Sequence, residues 1–330
     1  MALIGSLTSG VSALESFEKG LEVIGDNVAN VNTTGFKGAQ VAYSDSFSNL
    51  LHQSAPSSPS GLGSDVSAEQ IGTGVQIAGV ASNFAQGTLT TTGSDTDIGI
   101  SGNGFFSVRD SLNNVNYVSR AGNFKIDDKG YLVTTDGYRV QGLSDGSATY
   151  TATTNSNGAL VYTQTSIAPA TVGDIKIDFN LAIGNGLING TGGAYTDAQV
   201  DASKPTKQSF TIDNQGNVVE SLSNGDAFVR GQILLQNFND TSALTRQGNN
   251  LYSGMDAAGP QGGLALSATN NAPGSNGLGR LQVGTLEQSN VDLSAEFANL
   301  ITTQRAFQAG SRIITVSDTV LQDVIDLKRQ

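Results

Sequence analysis

Gly142-Leu143-Ser144-Asp145-Gly146 spells the G-x-S-x-G pattern, in which a serine rides a tight turn from strand to helix and can attack a carbonyl. Its surroundings argue against that chemistry. The following Ser147-Ala148-Thr149-Tyr150-Thr151 has no helical pattern, and the only imidazole, His52, lies upstream in a Ser-rich stretch, against the serine, acid, histidine order of such hydrolases. A Gly-rich turn leaving a β domain is the expected role. Asp95, Asp97, Asp127 and Asp128 could offer oxygens to calcium, but the EF-hand spacing is missing and turn carboxylates are expected instead. No phosphate-cradling G-x-x-x-x-G-K-[ST] occurs, and Gly102-Asn103-Gly104 falls short of a dinucleotide fingerprint. With no cysteine and one histidine, thiolate zinc sites, cysteine nucleophiles, disulfides and multi-imidazole centres are excluded. The expectation is a protein without catalytic residues, metal or cofactor.

The composition narrows the partners. Of 330 residues only 14% are charged, 41 are glycine, and 17 Lys plus Arg face 29 Asp plus Glu, for a net charge of −12. Such a surface repels phosphate backbones, so no nucleic-acid partner is expected. No apolar run approaches the ~18 to 20 residues that span a bilayer, and the first lysine is Lys19, so neither membrane insertion nor a conventional signal peptide is expected.

Whatever these residues do, two long helices must frame it. Leu3, Leu7, Leu14, Phe17, Leu21, Ile24, Val28 and Val31 recur at steps of three and four, with Gly10 in the one missing slot. The pattern stops in Asn30-Val31-Asn32-Thr33-Thr34-Gly35. Near the other end, Phe297, Leu300, Phe307, Ile314, Leu321 and Ile325 keep the same rhythm, interrupted at Gln304, Ser311 and Asp318, with Asp292 or Ser294 as N-cap. Everything between reads as β: short apolar runs over 105–108, 117–120, 124–126, 131–134 and 138–141, then a second cluster over 208–238, with Asp-, Asn- and Gly-rich turns.

The expected fold class is therefore α+β, with N- and C-terminal helices pairing as a coiled coil, a central all-β domain and a small inserted β domain. The expected boundaries are 1–35 and 285–330 for the helical domain, 36–75 for a connecting segment, 76–145 and 205–284 for the β domain, and 146–204 for the insert. The stretches 54–61 and 259–279, rich in Pro, Ser and Gly, are expected to be flexible. Each helix buries only one stripe, and Gly5, Gly10, Gly20 and Gly25 weaken the first by about 1 kcal/mol each. An isolated opening helix should be largely unfolded, and further copies of the chain are the natural source of missing apolar surface. A simple helical hairpin packed on the β domain is the alternative that the pattern leaves open.

Three motifs carry a family resemblance. Ile24-Gly25-Asp26-Asn27-Val28-Ala29-Asn30-Val31-Asn32-Thr33-Thr34-Gly35-Phe36-Lys37 resembles the N-terminal signature of bacterial flagellar rod and hook proteins. Ile100-Ser101-Gly102-Asn103-Gly104-Phe105-Phe106 resembles an inner element of the same family. Gly284 to Leu293, including Ser289, Asn290 and Val291, followed by Thr303-Gln304-Arg305-Ala306-Phe307-Gln308, resembles its C-terminal block. The likeness covers about 1–143 and 206–330. Ser289 to Ser294 and Asp326-Leu327-Lys328-Arg329 are more similar to hook than to rod members.

The resemblance implies a subunit of a curved tube, a universal joint passing motor torque to the filament, with paired terminal helices lining the channel and the insert outermost. It makes Leu7, Leu14, Phe17, Leu21, Ile24, Val28, Phe297, Leu300, Phe307, Ile314, Leu321 and Ile325 an assembly seam. The implied partners are the chain itself, a distal rod protein, a hook cap protein, a hook–filament junction protein and the flagellar type III export apparatus, with an extracellular location. Some early export substrates share an aromatic, three residues, then a hydrophobic, which Tyr43 and Phe47 match in spacing. A rod subunit, or a secreted β-rich adhesin, is the rival reading.

Overall fold

The computed structural model of the chain describes residues 2–54, 67–144, 149–154, 160–166, 171–177, 187–189, 207–222 and 227–329. These form two compact units, one comprising Met1–Val31, Lys37–Phe84 and Val291–Gln330, the other Asn32–Phe36 and Ala85–Asn290.

The first unit is built on two helices, α1 (Ala2–Ala29) and α2 (Leu293–Arg329). α1 ends where asparagine offers an alternative to the helical ladder: the Asn30 amide donates to the Asp26 carbonyl and carboxylate at 3.0 and 2.9 Å. α2 begins at Asp292, whose Oδ1 accepts from the Ser294 N–H at 2.8 Å, a side-chain N-cap. The helices run antiparallel. Ser6 Oγ lies 3.3 Å from Ser317 Oγ, while at the far end Asn27 Nδ2 donates to Glu296 Oε1 at 3.1 Å.

Between 36 and 75, where a connecting segment is expected, the chain forms strands. Ala39–Asp45 pairs antiparallel with Val75–Ser82, and Ser48–His52 with Glu69–Gly72. Their residues are mostly exposed on both faces, so the alternation that betrays a half-buried strand is absent. His52 is one of these exposed strand residues. Residues 55–66, which hold most of the Ser/Pro-rich stretch, lie outside the described residues.

The second unit is a large antiparallel sheet. Its spatial order is Lys207–Ile212, Asn217–Leu222, Ala227–Ile233, Arg139–Ser144, Phe105–Arg109, Asn116–Ser119, Leu251–Ser253 and Thr245–Gly248. The expected turns fall between strands: Asp127 Oδ1 accepts from the Lys129 and Tyr131 N–H groups, and Asp213 Oδ1 from Gln215 and Asn217. Ile98, Ile100, Phe106, Val108, Val140 and Ile233 form the core.

Ile175 and Ile177 join that core although the sequence places them in the insert. The strand Thr171–Asp174 pairs with Arg139–Ser144, and the Ile175 N–H donates to the Val140 carbonyl at 2.9 Å. Asp174 fixes this return: its carboxylate accepts from Arg109 at 2.6 Å, Arg139 at 2.9 Å and Gln141 at 2.5 Å. Burial pushes the Asp174 carboxyl up, but Gln141, Arg139 and Arg109 outweigh it and hold the group below its ordinary value. Leu160–Ser166, Thr149–Thr154 and Leu187–Asn189 make a separate three-stranded sheet; most of the remaining expected insert lies outside the described residues.

Two further expectations meet the structure here. Gly142 and Ser144 lie in a strand, paired with Ile233 and Gly231, and Asp145 and Gly146 lie outside the described residues. The stretch 259–279 is tethered. Asn271, fully buried, donates to the Leu235 carbonyl and to Gln236 Oε1, both at 2.9 Å, and accepts from the Ser267 N–H. One amide thus satisfies backbone groups that glycine and serine composition alone suggests are free.

Candidate assembly surface

The contact between α1 and α2 is made by small residues where the sequence suggests a gap. A Cβ on Gly10 would lie 3.2 Å from Ile314 Cγ1, and one on Gly310 would lie 3.3 Å from Leu14 Cδ2. The missing slot in the α1 seam is therefore a point of close approach.

On α2 the inward row runs Glu296, Leu300, Thr303, Phe307, Gly310, Ile314 and Ser317, all half-buried or buried. Steps of four and three carry it along one side of the helix. Gln304, Ser311 and Asp318 are exposed and interrupt nothing, because Thr303, Gly310 and Ser317 occupy the inward positions one residue earlier. Among the expected seam residues, Leu300, Phe307 and Ile314 face α1, while Leu7, Leu14, Phe17, Leu21, Ile24 and Val28 are half-buried or buried on α1.

The others stand apart. Phe297 is 50% exposed on the flank of α2, one helical step away from the inward row. Leu321 and Ile325 continue that row but are 37% and 57% exposed, since Ser317 already meets Ser6, one turn and a half from the start of α1.

Polar ties fix the far end. Asn27, 2% exposed, donates from Nδ2 to the Ala39 carbonyl at 2.8 Å and accepts at Oδ1 from the Ala39 N–H at 2.9 Å. Its amide thereby acts as an extra strand partner for Ala39 while also holding Glu296 of α2. Tyr43 packs over α1, its ring edge-to-face with Phe17 at 6.0 Å and its hydroxyl over Gly20, and burial raises its pKa. Phe47 is 78% exposed, so the two residues of the possible export motif lie in different surroundings. Ala29 is exposed, Asn30 half-buried, and Lys37 fully buried.

The remaining motif residues, apart from Val291, belong to the second unit. Gly35 has φ +68°, and any Cβ there would sit 2.7 Å from the Ala121 nitrogen, so only glycine fits. Phe36 lies under Arg246, whose guanidinium carbon is 4.7 Å from the ring centroid. Gly102, φ +115°, passes close to Gly279, and the Asn103 carbonyl accepts from the Gly279 N–H at 2.7 Å. Gly104, buried at φ +125°, leads into Phe105 and Phe106. Phe106 meets Phe124 edge-to-face at 5.0 Å, and Phe105 meets Phe238 and Tyr252.

Asn290 donates to the Ala85 carbonyl at 3.0 Å, and Ser289 and Val291 are half-buried beside it in sequence. The sequence reading missed the buried pair between Arg120 and Glu287, 3.3 Å apart and 4% and 0% exposed at the side chain. Glu287 also accepts from the Gly87 N–H at 2.8 Å. Desolvation lowers the Arg120 pKa against the pull of Glu287. Nothing in the spacing of 120 and 287 signals this contact; only the presence of Glu287 inside the C-terminal motif hints at it.

What is left on the helices is an apolar surface without a partner among the described residues. Val11 on α1 and Phe297, Ile301, Ile313, Val316, Val320 and Val324 on α2 are exposed. A lone helix pair has no use for so many outward apolar residues.

The comparisons with known proteins agree with the motifs. Residues 7–37 match the model for flagella basal body rod proteins, 99–220 that for the flagellar hook protein FlgE/F/G D1 domain, and 282–327 that for the C-terminal region of flagellar basal body rod FlgEFG proteins. The chain is 34% identical to the flagellar basal-body rod protein FlgG of Bacillus subtilis over 327 residues, covering 99% of this chain and 100% of that one. It is 28% identical to the flagellar hook protein FlgE of Salmonella typhimurium over 429 residues, covering 98% and 100%. The crystal structure of Helicobacter pylori flagellar hook protein FlgE2 matches at 11% identity and a TM-score of 0.36, covering 60% of this chain and 100% of that one. With a helix at each end, a β-rich centre and whole-length identity of this order, the chain belongs to the family of flagellar rod and hook proteins.

Proposed function

We propose that the chain is a structural subunit of the flagellar hook, polymerising with copies of itself into a flexible tube that passes torque from rod to filament. The observation that carries this is the outward face of α2, where Phe297, Ile301, Val316 and Val320 stay in water although α1 already covers the inward face. Buried against neighbouring helices at about 25 cal/mol per Å2, such residues supply the association energy a polymer needs. In this reading α1 and α2 pair as a coiled coil and line the channel, and the three-stranded sheet with its surrounding residues is an inserted domain. The subunit reaches the cell exterior through the flagellar type III apparatus, with Tyr43 and Phe47 as candidate gate contacts. It meets a distal rod protein, a hook cap protein and a hook–filament junction protein at the ends of the tube.

A distal rod subunit is the second reading, favoured by one specific observation. Identity is 34% to the rod protein over an alignment of about this chain's own length, against 28% to the hook protein over 429 positions. Seeded polymerisation of the purified chain followed by electron microscopy tests both: curved tubes support the hook, straight ones the rod, and soluble monomer at all concentrations contradicts either.

A further inference from the structure

The outward faces of α1 and α2 carry opposite charge at matching intervals. On α1, Val11, Glu15, Glu18, Glu22 and Asp26 follow one another at steps of three and four, all exposed. They occupy one row of the helix, turned away from the Gly10 and Leu14 side that meets α2. Lys19 bridges Glu22 at 2.8 Å, leaving the row acidic on balance.

On α2 the outward row runs Phe297, Ile301, Arg305, Gln308, Arg312 and Val316 at the same kind of steps, again all exposed. Arg305 and Arg312 are one heptad apart, and so are Glu15 and Glu22. Each interval corresponds to about 10 Å of helix rise. Within one chain these rows cannot meet, because α1 and α2 already pair through their other faces.

Resting on the tubular reading above, we infer that Glu15 and Glu22 on α1 of one copy face Arg305 and Arg312 on α2 of the next. The exposed Ile301 and Val316 on α2 and Val11 on α1 are covered in the same contact. Two different patches meeting in this way make a heterologous interface, which propagates along a filament instead of closing on a pair. The pairing also relieves a chain of net charge −12 of some of its self-repulsion on assembly. Guanidinium groups suit it because each can grip a carboxylate with two parallel N–H donors.

The experiment uses two full-length variants, Arg305→Glu/Arg312→Glu and Glu15→Arg/Glu22→Arg, with the unaltered chain in parallel. At the two facing positions of each row the first presents acid on both helices and the second base on both. Each alone should need at least tenfold more protein than the unaltered chain before pelletable polymer forms, whereas an equimolar mixture should polymerise near the normal threshold, with the two variants alternating. Helicity and thermal midpoint of each variant check folding, and the Gln-substituted pairs provide a milder pair of changes in which each threshold should rise less. Either charge-reversed chain polymerising alone at the normal threshold overturns the contact, as does a mixture as inert as its components. Failure of the unaltered chain itself would instead defeat the tubular reading, and this contact with it.

Discussion

Gly10 and Gly310 lie against each other where α1 and α2 pass close together: the Cβ that either one lacks would sit 3.8 Å from the carbonyl oxygen of the other. Two glycines at the crossing let the helices approach more closely than larger side chains would, at about 1 kcal/mol of helix propensity each. A branched or long side chain has nowhere to go. Gly10→Leu should weaken the helix pair by about 1 to 3 kcal/mol through overpacking against Ile314. Denaturant melts of the seeded polymer followed by far-UV dichroism read the loss, and an unchanged midpoint would show that the close approach is dispensable.

Asn27 is the polar counterpart of that contact. Asn27→Ala leaves the Ala39 N–H and carbonyl without their side-chain partner in a buried place, at an expected cost of about 1 to 3 kcal/mol. Asn27→Asp should be worse at neutral pH, since a carboxylate cannot donate to the Ala39 carbonyl and would sit beside Glu296. Hydrogen exchange at Ala39 in the seeded polymer checks it: both variants should exchange faster than the parent.

Breaking the Arg120–Glu287 pair from one side should cost more than removing both charges. Glu287→Gln strands a buried guanidinium and is expected to destabilise the second unit by about 3 to 5 kcal/mol. Arg120→Met combined with Glu287→Gln should recover much of this. A double variant no better than the single one would contradict the assignment of the loss to an uncompensated charge.

Acid should loosen the return strand at Asp174. Its folded-state pKa is depressed, so the stabilisation is complete above the ordinary carboxylate range and disappears as pH falls through the folded value. Asp174→Asn should therefore lower stability at pH 7 and flatten its dependence as pH falls below the ordinary carboxylate value. Urea midpoints across that range test the sign: an unchanged slope in the variant would place the acid sensitivity elsewhere.

The sequence makes the helices, the strand clusters and most turns readable, because each is a local property. Repeats of three and four predict α1 and α2, and Asp292 caps as expected. Which face of α2 points inward is less readable. The apolar stripe reads as interrupted at Gln304, Ser311 and Asp318, whereas Thr303, Gly310 and Ser317 one residue earlier make the contact, since a small residue signals proximity only when the partner is known. The same limit hides the strands of residues 39–52 and 69–82, which bury too little to alternate. It also hides Ile175 and Ile177, whose place in the core depends on a pairing with distant Val140. The motif around Asn27 and Gly35 is recognisable from sequence, but its reason, an amide serving Ala39 and a turn pressed on Ala121, is a matter of tertiary structure.

Amide hydrogen exchange on the dilute chain, then on the same chain after seeded polymerisation, bears most directly on the idea that the terminal helices depend on neighbouring copies. Amides of α1 and α2 should exchange within seconds to minutes in the monomer while Phe105–Arg109 stays protected, and should become protected in the polymer. Helices protected from the outset in a monomer that never polymerises would contradict it.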